Sequence, residues 1–186
     1  MSEYLTKHML VAMPTLHDPN FSRTVTLICE HNRNGAMGIV VNQPITLCIE
    51  ELISYLDVKT DDQMTSNRDP VYAGGPVHAN RGFILHDSDR NWKSTYTIDE
   101  NLKLTTSEDI LLDIGRGIGP ENAIVALGYA GWGPGQLEQE LADNAWLTVP
   151  YQPKILFETP VEKRWQTAAS KLGIDLHLIS NEAGHA

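Results

Sequence analysis

Two short stretches put an imidazole beside carboxylates: Glu30-His31 and Leu85-His86-Asp87-Ser88-Asp89. His31 next to Glu30 has the makings of a general acid/base pair, since histidine titrates near neutral pH. Adjacent residues of a strand point to opposite faces, however, so side chains that satisfy a neighbouring turn are the simpler expectation. The second stretch holds imidazole, hydroxyl and carboxylates, but a Ser-His-Asp triad is assembled in space and rarely from sequence neighbours. No GxSxG elbow accompanies it. Its acidic residues lack the glycine and terminal Glu of an EF-hand loop, so it reads as a capped loop. His8, His17, His31, His78, His86, His177 and His185 are scattered, without HExxH or HxH spacing. Gly74-Gly75-Pro76 and Gly115-x-Gly117-x-Gly119 could offer backbone N–H groups to an anion. The second lacks a P-loop lysine and Pro120 removes a donor, so both read as turns. The sequence predicts no catalytic residue, no metal site and no cofactor.

The better candidate for a site is Gly128-Tyr129-Ala130-Gly131-Trp132-Gly133-Pro134-Gly135-Gln136-Leu137-Glu138. Its glycines permit close approach of another chain or a ligand, and Pro134 is placed to begin a helix. A loop over Gly128 to Gly135 would present Tyr129 and Trp132 as walls, with Gly131 and Gly133 between them and Glu138 following on the helix. The alternative is that the aromatics fill the core and the glycines serve packing. The loop has no titratable group before Glu138, so the Glu30-His31 turn is its expected partner. The combined binding site is then Glu30, His31, Tyr129, Gly131, Trp132, Gly133 and Glu138, with His31 exposed at a cleft.

These residues must be positioned by a chain of 186 residues, a length that suits a single domain over 1–186. Acidic residues outnumber basic ones 24 to 14, a net charge of −10, which repels phosphate backbones and weighs against direct nucleic-acid binding. No apolar run approaches the roughly 20 residues of a membrane helix. The N-terminal run Met9 to Met13 is too short for a signal peptide, and Pro14 interrupts it. Cys29 and Cys48, without CxxC spacing, read as buried reduced thiols of a cytosolic protein.

Strands are expected at His8 to Met13, Arg23 to Glu30 and Ala36 to Val41, the last two joined by a hairpin at Asn34-Gly35. Thr46 could cap a helix whose buried face is Ile49, Leu52, Ile53 and Leu56. Lys59 to Pro70 reads as an exposed loop. Val71 to Ala73 and Arg81 to His86 follow as strands, then a hairpin of Thr95 to Ile98 with Leu102 to Thr105. Thr105 and Glu108 match a capping box before a helix burying Ile110, Leu111 and Ile114. Ala123 to Leu127 is a strand, and Pro134 to about Asp143 a helix. Thr159-Pro160 opens a last helix, burying Val161, Trp165, Ala168 and Leu172, before a strand from Ile174 to Ile179. Several strands precede each helix, which gives a mixed α+β domain rather than βαβ alternation.

The ordered blocks His8 to Pro14, Asp18-Pro19-x-Phe21, Glu30-His31, Gly35-Ala36-Met37-Gly38 and Asn42 resemble the YqgE/AlgH family. Gly74-Gly75-Pro76-Val77, Leu85-His86, Gly128 to Glu138 with Glu140, Trp146, Phe157, Trp165 and Gly184-His185-Ala186 continue the match to the end. The resemblance implies a complex α+β fold whose bent sheets form a pseudo-barrel with flanking helices. It also implies a bacterial protein, since similar chains are in part labelled transcriptional regulators linked to alginate control. Gln43 stands where many relatives have a basic residue, which weakens an electropositive surface there. The expectation for function is a non-catalytic binding or regulatory module with a protein or small-molecule partner. The alternatives are a hydrolase using a His/carboxylate pair, and a regulator that binds DNA directly.

Overall fold

The computed structural model describes residues 3–56 and 62–182; the family-like terminus Gly184-His185-Ala186 and part of the loop after Lys59 lie outside them. The described residues form ten strands and five short helices. They are β1 (His8–Ala12), β2 (Val25–Asn32), β3 (Gly35–Val40), β4 (Pro44–Cys48), α1 (Ile49–Tyr55), β5 (Pro70–Ala73), β6 (Val77–His86), β7 (Thr95–Asp99) and β8 (Leu102–Thr105). There follow α2 (Asp109–Gly115), β9 (Ala123–Trp132), α3 (Gln136–Ala142), β10 (Trp146–Pro150), α4 (Arg164–Ser170) and α5 (Leu176–Glu182). A π-helical turn (Lys154–Glu158) and a 3-10 turn (Val161–Lys163) precede α4.

The sheet runs β10-β1-β2-β3-β9-β6-β8-β7, and β4 and β5 branch from it where β5 pairs in parallel with β9. It curls into a half-barrel. Near the two edges, Lys7 before β1 pairs with Asp99 at the end of β7. Apolar residues on the inner face, among them Val11, Leu27, Ile39, Leu85, Leu104 and Ala126, form one core with Trp165 and Ala168 of α4. Outside, α1 and α2 cover Val71, Ile84 and Val125. Leu137 of α3 covers Leu10, Ile28, Ala130 and Trp132. Each fully buried Leu or Ile in these layers contributes roughly 1.5–3 kcal/mol.

Apart from Ile174 to Ile179, the expected strands recur, as do the helix face at Ile49, Leu52 and Ile53 and the burial of Ile110, Leu111 and Ile114. Several details differ. The hairpin turn is Arg33-Asn34, and Gly35 alone takes a positive φ, while Asn32 Oδ1 accepts the Asn34 N–H. Thr46 lies in β4; Cys48 is the N-cap of α1, and Glu51 accepts its backbone N–H at 2.9 Å. Thr105 ends β8, and Glu108 stands at the α2 N-cap without a side-chain cap. Thr159 closes the π-helical turn instead of opening α4, because its N–H and hydroxyl both donate to Lys154 O. Leu172 is exposed.

Two differences alter the architecture. Ile174 to Ile179 is not a strand: Asp175 Oδ1 accepts the His177 N–H and starts α5, which buries Leu176 and packs half-buried Ile179 on the same core at helical spacing. Gly128 to Trp132 is not a loop but the second half of β9, paired with β3 at Ala130, Gly131 and Trp132. Only Gly133-Pro134-Gly135 remains as a turn. A glycine-rich run can be a strand when neighbouring backbones leave no room for side chains.

Candidate functional site

Bulges decide which residues of the expected site meet. In β2 the register slips between Ile28 and Glu30 against β3, so Cys29 and Glu30 both turn toward the inner face. His31 is thereby thrown outward, opposite Ala36, which pairs in turn with Trp132. In β9, Leu127 packs outward, yet Tyr129 packs inward on Phe83, and Ala130 and Trp132 pack outward again. Gly128, at φ +79°, resets that alternation. The expected site therefore divides between two faces. His31, Trp132 and Glu138 share the outer one with α3, while Glu30, Tyr129 and Gly131 belong to the inner one.

On the outer face His31 is closed, not open to a cleft as expected. Its side chain is 1% exposed. Nδ1 accepts the Leu5 N–H at 3.0 Å, which fixes the proton on Nε2, and Nε2–H donates to Glu138 Oε1 at 2.9 Å. Tyr4 covers the ring edge. Both nitrogens are thus committed to holding the N-terminal segment and α3 against β2. Glu138 is held below the ordinary carboxylate range, first by its own backbone N–H at the start of α3 and then by the His31 N–H.

Trp132 is core, not an open wall. It is 6% exposed, packs on Trp146 and Phe21, and donates Nε1–H to Glu140 Oε2 at 2.8 Å. Trp146 donates to the same oxygen at 2.8 Å, and Gln136 donates to the other. Glu140, which the sequence reading did not place in the site, thus joins two indoles through one carboxylate. Two tryptophans flanking an acidic helix were the available signal. Beside the β2–β3 turn a shallow cleft of about 320 Å³ is lined by Glu30, Asn32, Asn34, Gly35, Met37 and Trp132. Gly133 donates its N–H to Gln136 Oε1 in the turn.

His86 is wholly buried between Thr105, whose Oγ1 lies 2.8 Å from Nε2, and the edge of Trp92. Its Nδ1 has no partner among the described residues. Burial first, and then the ammonium of Lys103, which pairs with His86 across the β6–β8 ladder, lower its pKa from 6.5 to about 4. The unfolded chain therefore binds a proton in the pH 6.5–4 window that the folded chain rejects. His86 costs nothing above pH 6.5, and stability declines on acidification by up to about 3 kcal/mol by pH 4. Denaturation midpoints should fall between pH 6.5 and 5 in wild type, and His86→Phe should flatten that slope. An unchanged slope in the variant rules this account out.

Two further clefts escape the sequence. One, of about 370 Å³, lies between α1, β6 and α2, with Leu52, Leu56, Ile84, Leu111 and Leu127 as walls and Asn80, Arg81 and Glu108 at its edge. It opens beside a bulge where β6 slips between Val77 and Gly82 against β9, a device frequent near functional sites. The other, of about 250 Å³, contains Tyr72, Phe157 and Arg164.

The family model described as AlgH-like matches residues 9–177. A UPF0301 protein of Thioalkalivibrio sulfidiphilus is 52% identical over 185 residues, covering 100% of this chain and 98% of that one. A UPF0301 protein of Nitrosococcus oceani is 48% identical over 183 residues, covering 98% and 97%. The solution structure of the AlgH protein from Pseudomonas aeruginosa aligns over 100% of both chains at 45% identity, with a TM-score of 0.79. A Corynebacterium diphtheriae crystal structure shares the fold at 19% identity and a TM-score of 0.74, over 96% of this chain and 93% of that one. In sequence and in fold, the chain belongs to the YqgE/AlgH family.

Proposed function

We propose that the protein is a non-catalytic binding and regulatory module of the cytosol, acting by holding a protein or small-molecule partner. The observation that carries this reading is the closure of His31. Its Nδ1 is used by Leu5 and its Nε2 by Glu138, leaving no lone pair to take a proton from a substrate. The 2.9 Å His31–Glu138 contact does meet the hydrogen-bond reach of the hydrolytic alternative, but the imidazole itself has no open face. Recognition fits the α1–β6–α2 cleft better, where apolar walls meet a polar edge.

Direct DNA reading has one supporting feature, the consecutive helices α4 and α5. Yet α5 contains no Lys or Arg, and the chain has a charge of −10. No helix among the described residues is long and apolar enough to cross a membrane. The test is capture from native lysate, with and without nuclease, followed by native mass spectrometry. A protein or small molecule retained despite nuclease, and reduced by Arg81→Glu at the cleft edge, is the expected result. Retention that depends on nucleic acid would sink this reading, as would ester or peptide hydrolysis lost in His31→Gln.

A further inference from the structure

The α1–β6–α2 cleft contains a stretch of strand edge that no other strand covers. β8 pairs with β6 only from Ile84 to His86. After Thr105 the chain turns away into α2, and the Thr106 N–H donates to Ser94 O instead. On the other side of β6 the β9 ladder jumps from Val77 to Gly82, which leaves His78, Ala79, Asn80 and Arg81 against Gly128 alone. All four are exposed. Among the described residues no strand pairs with β6 on the β8 side before Ile84, and no turn or loop backbone bonds to residues 78–83. Free N–H and C=O groups along such an edge are a template for one more strand.

Gly82 distinguishes this edge from one that is merely blunted. Bulges and charges protect edges from indiscriminate pairing, and the bulge with Arg81 would serve that end. A glycine works against it. Gly38, Gly74, Gly75 and Gly128 each stand where a Cβ would come within 3.0 Å of a neighbour, so the fold itself requires them. Gly82 has no such reason: its φ lies outside the left-handed region, and its would-be Cβ meets only Ile84 Cδ1, at 3.6 Å. A strand glycine that the fold does not need costs stability, and it suits a place where another backbone comes close. Above it, half-buried Leu56 and Leu127 supply apolar surface in a space of about 370 Å³. Exposed Arg81 has no carboxylate within ion-pair distance among the described residues, although Glu108 also lines the cleft.

We propose that this cleft takes an extended segment of a partner protein as an added strand on β6, with an acidic and an aliphatic residue side by side in it. The segment pairs along Asn80 to Phe83, in line with β8. Its aliphatic side chain stands over Gly82, against Leu56 and Leu127, and its acidic side chain lies opposite Arg81 as a cross-strand partner. A side chain rather than a chain end meets Arg81, because His78, Ala79 and Asn80 continue the open edge before it. The proposal rests on the binding-module reading and narrows its partner to a protein recognised through its backbone.

The experiment pans random hexapeptides displayed on phage against the full-length protein, then synthesises the enriched sequences with acetyl and amide ends. They should place Asp or Glu next to Leu, Ile or Val, and shift the Gly82 and Phe83 amide resonances of ¹⁵N-labelled protein. Gly82→Val should keep or raise the thermal midpoint, since valine suits a strand and its Cβ has room. By filling the cleft it should weaken these peptides at least about tenfold. Arg81→Gln should weaken them about two- to fivefold, the worth of an opposite-charge cross-strand pair, and keeps the test alive if Gly82→Val does not fold. N-methylation should abolish binding at alternate peptide amides and spare the others, as strand pairing requires. The strand site is overturned by no enrichment, by wild-type binding to Gly82→Val, or by N-methylation tolerated throughout. Indifference to Arg81→Gln overturns the acidic partner. A dimer that Gly82→Val splits would seat a second copy on the edge and overturn the peptide. Lysate capture that survives Gly82→Val removes this site alone, whereas hydrolysis dependent on His31 would remove the binding-module reading.

Discussion

Trp165→Ala should lower stability by about 3–5 kcal/mol in equilibrium chemical denaturation, the cost of deleting a large buried aromatic. Trp165 is 7% exposed and closes the inner core of the half-barrel with Ala168 and Ala169. Its indole Nε1–H donates to Ala12 O at 2.9 Å, so the helix is bonded to the end of β1 as well as packed on it. Arg23 lies over the ring with its guanidinium carbon 4.7 Å from the centre. Trp165→Phe keeps much of the packing and loses the hydrogen bond, and should cost about 1–3 kcal/mol through the unpaired carbonyl. Trp132→Ala belongs to the same class of loss, because Trp132 is also core and bonded to Glu140. A wild-type denaturation midpoint for Trp165→Ala would mean that α4 does not hold the core together.

Much of this fold is legible in the residues, and the part that is not has a common physical cause. Ile49, Leu52 and Ile53 mark a helix face, because one buried side imposes a period. A bulge breaks the period without changing composition. Nothing in Leu27-Ile28-Cys29-Glu30-His31 tells that Cys29 and Glu30 both turn inward, yet that slip sends His31 to Glu138 and away from Tyr129. The expectation that the Glu30-His31 turn partners the glycine-rich run rests on the charge the run lacks, and β3, between β2 and β9, does bring the two together. The face each side chain takes is not readable. α5 escapes the pattern for a related reason: Ile174 to Ile179 alternates in sequence, but Asp175 capping and the packing of buried Leu176 and half-buried Ile179 on the core win. The burial of Arg164 carries no sequence signal, since a helix-start arginine is ordinarily solvated and only the fold brings Val41 O and Thr159 O to its guanidinium.

The glycine-rich run retains a decisive role as scaffold, and Gly128→Ala should show it with a loss of about 2–5 kcal/mol. Two contributions add. At φ +79° a side chain is strained by roughly 1–2 kcal/mol. A Cβ at Gly128 would also stand 2.2 Å from the carbonyl oxygen of Gly75, with Val77 O at 3.1 Å and Ala79 Cα at 3.2 Å. These are backbone atoms that cannot rotate aside, and relieving such overpacking costs typically 1–3 kcal/mol. Gly75 approaches from the other side under the same constraint, at φ +152° with Tyr129 C at 2.1 Å from its own would-be Cβ. Pushing the strands apart would disturb the Val77–Tyr129 pairing and the phase reset that sends Trp132 to Glu140. Gly135→Ala is the control: it shares a positive φ of 73°, but its would-be Cβ meets nothing within 4 Å. It should lose only the strain, about 1–2 kcal/mol. Equal losses at the two positions would show that backbone angle alone matters, and that the close approach of β9 to Gly75 does not hold the junction.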